Sequence, residues 1–174
     1  MPDRDPTPGS PVPDHDPTPG SPLAGRDPTP GRRDRDPAGR PRNARPRDAY
    51  GRPLPPGSAG VPRIPDDYAP SAQEAIHEAD LLLAAGRPFH AHEVFEGRWK
   101  CCPTEERDLW QALAQICVGL THLQRDNPRG ATALLTRGRT KLHQYTPRRP
   151  YGMDLDAIES GTTIEEIRQA LRAG

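Results

Sequence analysis

The residues best suited to chemistry fall in two short runs. In the first, His92, Glu93, Glu96 and Trp99 lie within residues 88–100, PFHAHEVFEGRWK. On a helix, Phe89, His92, Glu96 and Trp99 share one face and Glu93 sits at its edge, because steps of three and four residues return to the same side. The second run is a narrow polar line, Gln111, Gln115 and His122, on the otherwise apolar segment 105–125. If the two segments pack antiparallel, these faces meet. They then enclose one or two imidazoles, one or two carboxylates and two amides, walled by tryptophan and phenylalanine.

Four kinds of chemistry suit such a set. Aromatic walls with a few convergent polar groups describe a binding cleft, and the leading reading is non-enzymatic binding of a small ligand or a protein partner by His92, Glu96, Trp99, Gln111, Gln115 and His122. A second reading is a metal-dependent hydrolase. His92-Glu93-x-x-Glu96 looks like the zinc-protease helix motif, with glutamate where that motif has its second histidine. Metal ligands would then be His92, Glu96 and His122, with Glu93 as base. A carboxylate-bridged two-metal bundle is a third reading, since Glu74-x-x-His77 has the spacing those sites use, but a second such pair is missing. The fourth is purely structural: His92 and Glu96 pair with each other, and the glutamines complete a buried hydrogen-bond network. No cofactor is expected, and a divalent metal enters only with the hydrolase and two-metal readings.

The elements that must position these groups are all helical. Ser71 with Glu74 makes a capping box for a helix reaching about Ala85, which Gly86 ends. Pro88 suits the first turn of a second helix running to about Lys100. Thr104 is placed to cap the long helix through Arg125, with Glu105 and Glu106 favoured at its N-terminus. On it Leu109, Leu113, Ile116, Leu120 and Leu123 recur at the helix period. Asn127-Pro128 opens a fourth helix to about Tyr145, with Ala131, Leu134, Leu135, Gly138, Leu142 and Tyr145 inward. Asp154 caps a short turn, and Thr163 with Glu166 makes a last capping box. No β-alternation is present. The fold class is therefore all-α: a compact antiparallel bundle of four main helices with a short C-terminal helical extension.

At this point the chain resembles the domain of unknown function 309 family. The resemblance rests on F-x-x-H-E-x-x-E-x-x-W, present as Phe89, His92, Glu93, Glu96 and Trp99. It continues through Gln111-Ala112-Leu113, where the family usually reads Gln-Gly-Leu, and through residues 122–131, HLQRDNPRGA. It covers roughly residues 72–155 and implies a small all-helical fold without an assigned activity.

Composition divides the chain. Of the 24 prolines, 19 fall in residues 1–70, and DPTPG begins at Asp5, Asp16 and Asp27. Residues 1–66 read as a low-complexity, disordered tail with nothing to bury against the cost of ordering it, and residues 67–174 as the helical domain. Eight arginines against three aspartates between Gly31 and Arg52 give that stretch a basic excess, a route to nucleic-acid contact that lacks interleaved aromatic rings. Over the whole chain 24 basic residues balance 24 acidic ones, which disfavours a global attraction to nucleic acid or membrane. No run approaches the roughly 18 apolar residues of a membrane span, and no secretory signal is expected. Three cysteines, two adjacent, make no disulfide framework. A cytoplasmic setting follows as the default, with a homodimer seam as a further use for outward leucines.

Overall fold

The computed structural model describes residues 45–62, 64, 65 and 67–173. Six α-helices follow in order: α1 (Ala72–Ala84), α2 (Pro88–Cys101), α3 (Arg107–Gln124), α4 (Pro128–Gln144), α5 (Leu155–Ser160) and α6 (Ile164–Leu171). The all-α architecture and its four main helices are as the sequence implies. The tail reading for residues 1–44 lies outside the described residues.

Local chemistry sets the helix starts. Ser71 Oγ accepts from the Glu74 amide while the Glu74 carboxylate accepts from the Ser71 amide at 2.7 Å, the reciprocal arrangement that satisfies two otherwise orphaned donors. Thr163 and Glu166 repeat it on α6. Asn127 Oδ1 accepts from the Gly130 amide at 3.0 Å and opens α4, and Asp154 does the same for α5 from Ala157. At one start the structure departs from expectation. Thr104 does not cap the long helix; Thr104–Glu106 form a 3-10 turn and α3 begins at Arg107. Glu106 is drawn into side-chain bonds with three other residues, described below, in place of a plain role at the helix terminus.

Consecutive helices reverse direction, as the pairs between their ends show. Arg98 near the end of α2 meets Glu106 at the start of α3, while Gln124 at the end of α3 donates to the Gly86 carbonyl just before α2. Asp108 and Lys141 tie the start of α3 to the end of α4. α3 lies at the centre: Leu109, Trp110, Ala112, Leu113, Ile116, Cys117 and Leu120 are all buried, among Ile76, Leu83, Val94, Phe95 and Leu142. Each large apolar side chain so buried contributes roughly 1.5–3 kcal/mol. Leu123, expected on the same face, is 44 % exposed at the fraying end of the helix.

The close fit of α4 on α3 depends on missing side chains. A Cβ at Gly138 would stand 2.8 Å from Ile116 Cγ1 and 2.9 Å from the Ala112 carbonyl oxygen. Ala112, where the resembling family usually has glycine, is fully buried at this contact, and Gly138 supplies the room on the opposite helix. α6 returns to pack on α1, where Arg168 Nε donates to Asp80 Oδ1 at 3.1 Å.

Within residues 45–62, read from composition as tail, several groups contact the helices. Asp48 Oδ1 accepts from the amides of Tyr50 and Arg52, closing a turn in which Gly51 adopts φ +71°. Gly51 lies on the Phe89 ring so closely that a Cβ would fall 2.0 Å from its Cγ. Arg125 grips the Tyr50 carbonyl from Nε at 2.9 Å. Arg47 and Arg125 place their guanidiniums 4.9 and 5.6 Å from the Phe89 ring centroid, a cation–π arrangement. Proline and arginine thus serve a strap over the start of α2.

Candidate functional site

Helix α2 projects His92, Glu96 and Trp99 at intervals of four and three residues, and α3 projects Gln111, Ala114, Gln115 and Val118 toward them. With Leu134 of α4 these residues line a cleft of about 200 Å³. Its walls are mostly apolar, and its polar groups are an imidazole, a carboxylate and two amides. Five of the six residues expected at a cleft are brought together. Phe89 goes elsewhere, its ring under the strap, although it remains 4.8 Å from the His92 ring.

The hydrogen bonding of His92 decides what the cleft presents. Its Nδ1 bonds to the Phe89 carbonyl oxygen one turn back. A carbonyl only accepts, so Nδ1 carries the proton and Nε2 holds a lone pair. Burial pushes the His92 pKa below its ordinary value, opposed by that hydrogen bond and by Glu96. The neutral ring therefore turns an acceptor toward Glu96 Oε2, 3.8 Å away, too far and with no hydrogen between them for a hydrogen bond. The other Glu96 oxygen holds Lys100 at 3.0 Å on the wet side, an exposed i,i+4 pair of small energetic weight. Gln115 Oε1 is buried without a hydrogen-bond partner, a state that few buried oxygens in folded proteins tolerate. The paired buried network of the structural reading is thus not formed by these residues.

His122 is not part of the cleft. It stands seven residues beyond Gln115, roughly 10 Å along the helix axis, and its Nδ1 lies 3.0 Å from Asn127 Nδ2. Because Asn127 Oδ1 is already accepting from Gly130, the amide nitrogen donates to His122 Nδ1 and locks the turn into α4. The expected ligand set His92, Glu96 and His122 is accordingly not assembled, and among the described residues no group of three His, Cys, Asp or Glu side chains is placed to hold a metal ion. Glu93, the base of the hydrolase reading, does not line the cleft. Glu74 is committed to its capping box, which removes it from the two-metal reading.

A paired polar and aromatic network exists instead at the other end of α2. Glu106 Oε2 accepts from Trp110 Nε1 at 2.7 Å and from Arg98 Nη2 at 2.9 Å, and Oε1 accepts from the Tyr151 hydroxyl at 2.5 Å. The Trp110 ring lies 6.1 Å from Phe95 and 5.8 Å from Tyr151, with Arg98 over its face at 5.5 Å. Burial alone would raise the Glu106 pKa, but the bonds from Tyr151, Trp110 and Arg98 outweigh it and hold the carboxyl below its usual range. Tyr151 reaches this position from a left-handed backbone conformation at φ 53°. The sequence carried one signal for the network, the i,i+4 spacing of Glu106 and Trp110.

Residues 76–134 match the family described as Domain of unknown function (DUF309), a small helical domain. The match covers 59 of the 174 residues, from within α1 to the middle of α4, and it includes every residue lining the cleft. No curated protein and no solved structure matches the chain. No helix among the described residues is long and apolar enough to cross a membrane.

Proposed function

We propose that this helical domain is a binding module whose α2–α3 cleft takes a small ligand or one side chain of a protein partner. The observation that carries the reading is the Gln115 Oε1 atom, buried without a hydrogen-bond partner, in an apolar-walled cleft that His92, with its Nε2 acceptor, also lines. Unpaired buried acceptors cost stability unless a donor arrives to use them. At about 200 Å³ the cleft is smaller than the roughly 300 Å³ at which pockets for drug-sized molecules begin, so it suits a compact ligand or a single side chain. His92, Glu96 and Gln115 supply hydrogen bonds, Gln111 adds an amide, and Trp99, Val118 and Leu134 supply contact area.

Fragment titration followed by the Trp99 indole and glutamine amide NMR signals tests this. Saturable shifts confined to the cleft, lost in His92→Ala with the remaining spectrum retained, are the expected result. A panel of fragments that leaves these signals unmoved in the folded protein would remove the reading.

Three further expectations accompany it. All three cysteines are free thiols, which suits a reducing compartment such as the cytoplasm. The gathering of Arg47, Arg52 and Arg125 around the strap favours an anionic partner, nucleic acid included. Self-association through exposed Leu81 and Leu123 is tested by sedimentation of the double Leu→Ser variant.

A further inference from the structure

The cleft reading says that something binds; the facing acceptors say what kind of group it carries. His92 Nε2 and Glu96 Oε2 stand 3.8 Å apart, and the Nδ1 bond to the Phe89 carbonyl fixes the lone pair on Nε2. Two acceptors at that separation repel unless hydrogens lie between them. A single nitrogen placed about 2.8 Å from each would see them at an angle of roughly 85°, so one N–H cannot point at both and at least two are needed. Glu96 brings a negative charge, and no basic side chain lines the cleft, although Arg47 and Arg125 act on the His92 ring from the strap side. Lys100 meets Glu96 through the opposite oxygen, Oε1. Trp99 offers an aromatic wall suited to a cation, while Ala114, Val118 and Leu134 form an apolar floor suited to a short alkyl stem.

We propose that the cleft selects a primary ammonium on a short apolar stem, its N–H groups bridging His92 Nε2 and Glu96 Oε2. A free alkylamine and a lysine side chain share this chemistry. The inference rests on the binding reading above and narrows it to one ligand class.

The test uses the full chain at about pH 8 and four probes: n-butylamine, n-butanol, butyrate and butyltrimethylammonium, each followed by the Trp99 indole and Gln115 amide signals. Butylamine should bind at least tenfold more tightly than butanol, with butyrate and the trimethylated cation without effect, since the last keeps the charge and lacks the N–H donors. Glu96→Gln, a surface-accessible change that leaves the fold alone, should weaken butylamine about tenfold or more. Acetyl-lysine-methylamide, with its free ε-ammonium, separates the sources: equal affinity indicates the bare amine, and tighter binding indicates a side chain presented on a backbone. Butanol or butyrate binding as well as the amine would overturn the ammonium assignment and leave the cleft a binding site. Equal binding of the trimethylated cation would overturn the bridging arrangement. Silence from all probes would remove both the assignment and the reading beneath it.

Discussion

Glu106 Oε2 accepts the Trp110 indole N–H at 2.7 Å and, at 2.9 Å, a guanidinium N–H of Arg98 from the preceding helix. One carboxylate oxygen thereby ties the last turn of α2 to the first full turn of α3, the two helices that shape the cleft. Trp99 follows Arg98 and Gln111 follows Trp110, so the tie lies next to two residues of the cleft lining. Both partners of the ion pair are well shielded, with Arg98 14 % and Glu106 16 % exposed.

Removing Glu106 therefore strands partners as well as deleting contacts. Glu106→Ala leaves the buried indole N–H and the Arg98 guanidinium without their acceptor, which costs about 2–4 kcal/mol in total. Urea denaturation measures this directly. A loss under about 0.5 kcal/mol would mean that the network contributes little beyond its geometry.

A second prediction concerns the seam between α3 and α4. Gly138→Ala forces a methyl against Ile116 and the Ala112 carbonyl at 2.8 and 2.9 Å, and the fixed backbone oxygen cannot retreat as a side chain does. Overpacking of this kind costs about 1–3 kcal/mol, against the gain of a few tenths to 1 kcal/mol that replacing a mid-helix glycine usually brings. A variant more stable than the parent would show that α4 moves freely relative to α3.

The histidines give the fold a pH dependence of definite sign. Burial holds His90 and His92 below the ordinary value of 6.5, with Arg87 adding to the effect at His90. The unfolded chain takes up these protons near 6.5, and the folded chain only at lower pH. Between those points the unfolded state binds more protons, so stability falls as pH falls below 6.5 and is fully present above it. Urea midpoints measured from about pH 8 down to pH 5 should decline, and His90→Gln with His92→Gln should flatten the decline. A stability that rises on acidification across this window would contradict the burial of neutral rings.

Much of the helical frame was legible because its signals are local. Ser71 with Glu74 and Thr163 with Glu166 are complete chemical units within four residues, and Pro88 and Asn127-Pro128 mark helix starts wherever they are met. The cleft residues were legible for a related reason: helical period alone puts His92, Glu96 and Trp99 on one side. What the sequence hid is non-local. Tyr151 joins Glu106 from 45 residues away through a backbone conformation that no pattern announces. The strap was masked by composition, since proline and arginine at residues 45–62 look like the repeats before them until Gly51 is seen pressed on Phe89. His122 misled by angle, sharing a face with Gln115 while lying two turns further along α3 and outside the cleft lining.

The most direct measurement is the tautomer of His92, read from long-range proton–nitrogen NMR correlations of the full chain at about pH 7.5. A protonated Nδ1 and a bare Nε2 are expected, leaving an acceptor turned to Glu96 and open to an entering donor. A proton on Nε2, or an imidazolium, would place a donor opposite the carboxylate. The pair would then satisfy itself, and the cleft would lose its claim on a ligand.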